Sequence, residues 1–169
     1  LHLSIRRQRQ MCKETVHQLL IETGFAQQID GNPAYRSTHS TLSLDLIPDL
    51  WYLDEEGLTA LWARARTRPL GQLTVKQLGS DDLLLYLTAY AVVHRGHLCP
   101  SFFTDLRLLI EKEPLDWPTL VEEASRRHLK TPLYHGLRQL ILSSPATGIP
   151  ATVIQQLAPE TMAEQILEY

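Results

Sequence analysis

SDDLLLYLTAYAVVHRGHLCPSFFTDLRLLIEKE, residues Ser80 to Glu113, is the stretch whose reading decides the fold. Ser80 is a good helix N-cap, and Asp81 and Asp82 follow in the first turn, where the helix dipole favours negative charge. Leu83, Leu84, Leu87, Ala91 and Val92 recur at helical spacing, and Tyr86 and Tyr90 lie one turn apart. Gly96 and Pro100 interrupt the pattern. A second apolar helix then runs through Phe102, Phe103, Leu106, Leu109 and Ile110. Two apolar helices joined by a short turn must bury their faces against each other and against further elements. The residues before this hairpin read as a small sheet, and those after it as more helices.

Upstream, Leu1, Leu3 and Ile5 alternate with His2 and Ser4 as a short strand with one buried face. Arg6, Arg7 and Arg9 follow, either as a grip for a phosphate or as a solvated strand-to-helix turn. An amphipathic helix spans about Met11 to Thr23, marked by Val16, Leu19 and Leu20, with Gly24 at the C′ position. Phe25 to Ile29 and Tyr35 to His39 read as paired strands across an Asp30-Gly31-Asn32-Pro33 turn. Thr41 to Ile47 alternates again, with Leu42, Leu44 and Leu46 on one side and Ser43, Asp45 and Ile47 on the other. Asp is depleted in strands. Asp45 is therefore either a carboxylate held on rigid backbone for metal or base chemistry, or a solvent-facing residue of a one-sided sheet.

Leu58 to Arg66 reads as a short helix, and Arg64, Arg66 and Arg68 form a solvated face. Leu70 to Leu78, opened by Gly71, reads as a short strand or extended arm. Beyond Glu113, Asp116 caps a helix that carries Pro118 in its first turn and runs towards His128. Thr131-Pro132 opens another, with Leu133, Leu137, Leu140 and Ile141 on one face. Ala151 to Leu157 and Thr161 to Leu167 close the chain. The architecture expected is α+β: a small mixed sheet with one helix over residues 1–53, then a mainly helical, bundle-like domain over 54–169.

Composition narrows the function. The chain has 169 residues, 44% of them hydrophobic, and 16 basic against 19 acidic residues give a net charge of -3. No global field favours double-stranded nucleic acid or an anionic membrane. No apolar run approaches the length of a membrane span. Cys12 and Cys99 lack metal-ligand spacing, and a reducing cytoplasm is the default for such a chain. His94, His97 and Cys99 lie close together, yet a tetrahedral zinc site would need distant ligands such as His128 or His135. Neither a P-loop, a dinucleotide fingerprint nor a Ser-His-Asp elbow occurs.

The ordered set Leu83-Leu84-Leu85-Tyr86, Ala91-Val92-Val93-His94, Thr104-Asp105-Leu106 and Leu115-Asp116-Trp117 resembles a large bacterial nucleotidyltransferase family. Members carry an apolar helix ending in Lys-His, a following helix with a central Asp-Leu, and a Leu-Asp-Trp start to the next. Leu44-Asp45-Leu46 falls where the family has its Asp/Glu-Leu-His-Trp segment. Ala60-Leu61-Trp62-Ala63-Arg64-Ala65 is similar to its Leu-Trp-x-Arg-Ala. The resemblance implies a core like that of DNA polymerase beta and a nucleoside triphosphate substrate. It also implies Mg²⁺ held by three carboxylates, an Asp-x-Asp and a third Asp that maps onto Asp45. Arg6, Arg7, His94 and Asp105 are the accompanying candidates for substrate binding, with a His94–Asp105 hydrogen bond across the hairpin as the structural alternative.

One departure stands out. Where the family has Asp-x-Asp, this chain has Leu1-His2-Leu3-Ser4-Ile5. A neutral imidazole and a hydroxyl are poor ligands for a hard cation. The expectation is a degenerate or truncated nucleotidyltransferase that keeps the fold without catalysis. Two alternatives remain: an active enzyme completed by an upstream segment, and a helical interaction module without nucleotide chemistry, which a helical Thr41–Ile47 would favour. The chain opens on Leu1, inside what reads as a strand, as a fragment or processed product would. Such a strand lacks its neighbours and would offer its edge to a second copy, giving a homodimer.

Overall fold

A computed structural model of the chain describes residues 14–29, 34–47, 50–95, 100–145 and 147–159, with the backbone alone at 94, 95 and 100. The chain divides into two compact units, Leu1–Leu53 and Asp54–Tyr169. The expected strand Leu1–Ile5, Arg6, Arg7, the Asp30–Pro33 turn, His97, Cys99 and the terminal helix Thr161–Leu167 all lie outside the described residues.

In the first unit, helix α1 (residues 14–22) ends at Gly24, whose φ of +86° is the left-handed C′ conformation that glycine adopts without penalty. Strands β1 (Phe25–Gln27), β2 (Ala34–Ser37) and β3 (Ser43–Asp45) form an antiparallel sheet in the order β1-β2-β3. The pairing among described strands is antiparallel throughout, where a mixed sheet is expected from the sequence. Thr38 closes the β1–β2 end by donating both its N–H and its hydroxyl to the Gly24 carbonyl, each at 2.8 Å. Tyr35 is the buried centre of the sheet, and its hydroxyl lies 2.7 Å from His17 Nδ1 on α1. Val16, Leu19 and Ile21 stay largely exposed. Strands of three or four residues are too short to cover a whole helix face.

The second unit opens with α2 (Glu55–Arg64), capped by Asp54, whose carboxylate accepts from the Gly57 N–H at 2.7 Å. The chain then turns into a hairpin whose second strand falls within the expected strand Leu70–Leu78, while its first begins at Arg66, where a helix end is expected. β4 (Arg66–Leu70) pairs antiparallel with β5 (Leu73–Gln77) across Gly71-Gln72. Gly71 has φ +61° and Gln72 a negative φ, which makes a type II′ turn with glycine at its first central position.

The helical core follows. α3 (Ser80–Ala89) buries Leu84, Leu85, Thr88 and Ala89, then widens into a π-helical stretch over Tyr90–Arg95. α4 (Pro100–Lys112) buries Phe102 and Leu106. α5 (Trp117–Arg126) starts at Asp116, which caps the Thr119 N–H at 3.2 Å, with Pro118 in the first turn. His128, at φ +58°, ends α5 in a Schellman closure. Its N–H bonds the Ser125 carbonyl and that of Leu129 the Ala124 carbonyl. α6 (Lys130–Ser143) presents Leu133, Leu137 and Leu140 to the interior, and α7 (Ala151–Leu157) adds Val153 and Leu157. Helices α3 and α6 approach closely because Gly136 has no Cβ: an added one would stand 2.8 Å from Thr88 Cγ2.

Candidate functional site

Asp45 ends β3, opposite Ala34 in the register, and Ser43 lies opposite Arg36. Strand alternation puts Ala26, Ala34, Arg36, Ser43 and Asp45 on one face of the sheet and Phe25, Gln27, Tyr35, Ser37 and Leu44 on the other. The second face carries buried Tyr35 and its bond to α1. Asp45 thus stands on the open face, exposed, with Arg36 as the charged residue diagonal to it. Leu42, placed by the alternation with the buried residues, is itself largely exposed.

Two of the other candidates, His94 and Asp105, belong to the second unit. Asp105 lies exposed on α4 in the second unit, and His94 belongs to the π-helical stretch. Arg6 and Arg7 fall outside the described residues.

A second polar centre, missed in the sequence, gathers around the start of α3. Arg64 grips Asp82 bidentately, Nε to Oδ2 at 3.1 Å and Nη2 to Oδ1 at 2.6 Å. Arg66 and Arg68 leave β4 on the same face and both reach Glu113, at 2.9 and 3.3 Å. Ser80 donates its hydroxyl to Glu113 Oε2 at 3.1 Å. The three arginines are solvent-exposed, as expected, and each also pairs with a carboxylate. One expectation is corrected. Ser80 is the first residue of α3 and not its cap, because Glu113 takes its hydroxyl; Gly79 stands at the N-cap without a side-chain bond. Asp81 accepts the Asp116 N–H at 3.0 Å and so joins α3 to the start of α5.

These bonds set the titration. Burial, with smaller repulsion from Asp116 and Asp82, raises the Asp81 carboxyl above its ordinary value. The Ser80 hydroxyl and the two guanidinium groups hold Glu113 below its own. A depressed carboxylate stabilises the fold above its unfolded pKa, and that contribution is lost as pH falls through the folded value. Asp81 runs the other way: its cost is present at neutral pH and relieved on acidification. Glu113→Gln is therefore expected to lower the thermal midpoint at pH 7. The gap between variant and parent should narrow as pH falls below the carboxylate range, because protonated Glu113 resembles Gln; thermal melts at pH 7 and pH 3 measure it.

With a short antiparallel sheet and helix in one unit and a helical core in the other, the chain is an α+β protein. It belongs to the uncharacterised nucleotidyltransferase family, whose model matches residues 8–140 and so spans both units. No curated protein and no solved structure matches the chain.

Nucleotidyltransferases imply a divalent metal, and the donor set of this sheet can be set against that demand. The open face offers one carboxylate, one hydroxyl and a guanidinium. A pair of Mg²⁺ ions needs several carboxylates to repay dehydration, and a nearby Arg opposes cation binding. The described residues of the sheet do not fit a two-metal centre. Across the described residues no three His, Cys, Asp or Glu side chains are placed together to hold an ion. No described helix is long and apolar enough to cross a membrane.

Proposed function

We propose that the chain keeps the nucleotidyltransferase scaffold, with residues 1–53 as its partial catalytic-type subdomain, and does not transfer nucleotides as it stands. The observation that carries this reading is the solitary carboxylate of Asp45 on the open face of β1–β3, beside Arg36 rather than a second acid. Family membership supports a nucleoside triphosphate as the ligand class. With a single carboxylate, metal contributes little to holding it, and the phosphates rely on arginine and backbone donors. The strand Ser43–Asp45 weighs against the purely helical module. The paired order β1-β2-β3 leaves β1 and β3 as the outer described strands, which would allow strand pairing between two copies. The two cysteines suit a cytoplasmic setting.

Calorimetric titration with ATP, CTP, GTP and UTP, each with Mg²⁺ or Mn²⁺ and with chelator, tests the reading. The expected result is that any binding is indifferent to metal and to Asp45→Ala, an exposed and structurally mild substitution. Metal-dependent binding abolished by Asp45→Ala would overturn it.

A further inference from the structure

Between α5 and α7 lies an open cavity of about 620 Å³ lined by Trp117, Pro118, Val121 and Glu122 on one side and by Pro150, Thr152, Val153 and Gln156 on the other. Trp117 also borders a neighbouring hollow of about 260 Å³, whose acids are Glu111 and Glu113. Among the described residues no lysine or arginine lines either. Glu111 is engaged by Arg107, and Glu113 by Arg66 and Arg68. Glu122 is different: among the described residues its carboxylate has no ion-pair or hydrogen-bond partner. Its neighbour Glu123 takes both Arg126 and Arg127, so the cations one turn on are already committed. The Trp117 ring likewise makes no hydrogen bond and stacks on no other ring among the described residues.

We propose that this groove receives the arginine side chain of a partner peptide. Four chemical features converge on that occupant. The guanidinium is planar and weakly hydrated and stacks on an indole face, the best aromatic partner for a cation. Its fork matches the two oxygens of an unengaged carboxylate. Pro118, Pro150 and Val121 suit the aliphatic stem, while Thr152 and Gln156 can meet a peptide backbone along the rim. An acidic, aromatic groove with no cation among its described lining residues repels phosphate, which makes it a poor nucleotide site.

The test titrates acetyl-Gly-Arg-Gly-amide into the full chain and follows Trp117 side-chain resonances by NMR, beside the citrulline and lysine analogues. The expected order is arginine first, lysine weaker, and citrulline at least tenfold weaker than arginine. Glu122→Gln, at an exposed helix position, should weaken the arginine peptide at least tenfold without altering the melt. Trp117→Phe should weaken it less, since phenyl is a poorer cation partner. Equal binding of arginine and citrulline, indifference to Glu122→Gln, or no shift at Trp117 at millimolar peptide would overturn the proposal. Displacement of the Trp117 resonances by ATP instead would overturn it as well.

Discussion

Leu137→Ala is expected to destabilise the helical unit by about 2–5 kcal/mol, the range for emptying a fully buried leucine site. Leu137 has no accessible surface and sits on α6 among the core leucines Leu133, Leu140 and Leu84. The loss has two parts, the transfer free energy of the deleted methyl and methylene groups and the cavity left behind. Relaxation is restricted here because α6 is fixed against α3 by the Gly136–Thr88 approach. Urea unfolding followed by the helical circular dichroism signal gives the midpoint shift. The slope should stay unchanged, since the surface exposed on unfolding is nearly the same.

Gly136→Val tests that approach from the opposite direction. A Cβ at 136 would stand 2.8 Å from Thr88 Cγ2, closer than real Cβ atoms come to a neighbour, and 3.2 Å from Thr88 Cβ, tighter than nearly all such contacts. Thr88 has little freedom to yield. Its hydroxyl donates to the Leu84 and Leu85 carbonyls at 2.8 and 3.0 Å, and it is fully buried. Overpacking of this kind costs about 1–3 kcal/mol and here should reach the upper end, because two helix backbones must separate. Thr88→Ala in the same chain should recover part of the loss, a coupling measurable by a double-mutant cycle.

Much of this helical unit is legible in the sequence. Ser80–Glu113 carries its apolar period openly, and Asp116 with Pro118 announces the start of α5. The hairpin β4–β5 is not legible in the same way. Arg66–Leu70 is exposed along its whole length, so it lacks the alternation that burial imposes on a strand. The local signals are the Leu73/Val75 alternation, which marks β5, and the Leu70-Gly71-Gln72-Leu73 turn. Its own antiparallel pairing builds the hairpin, and Glu113, 47 residues from Arg66 and 45 from Arg68, adds ion pairs that no local pattern encodes. The same distance effect removes Ser80 from its cap, since Glu113 lies 33 residues away. The Schellman closure of α5 hides for another reason: its left-handed residue is His128, where composition leads one to look for glycine or asparagine.

Asp45 shows what sequence can settle about the candidate site. Its place on a strand and the two faces of that strand follow from alternation. Which face is open depends on Tyr35 and His17 covering the other, and that pairing spans 18 residues. Once the face is known, Arg36 appears as the charged neighbour of Asp45, diagonal to it in the register. The arginine groove on α5 and α7 is independent of this conclusion, because its residues lie in the other unit.

The most direct measurement is pyrophosphate release. The chain is incubated with each nucleoside triphosphate and Mg²⁺ or Mn²⁺, over hours and at high protein concentration, beside Asp45→Ala. The account predicts no release above the protein-free control and no difference between parent and variant. Release that requires the metal and disappears in Asp45→Ala would contradict it.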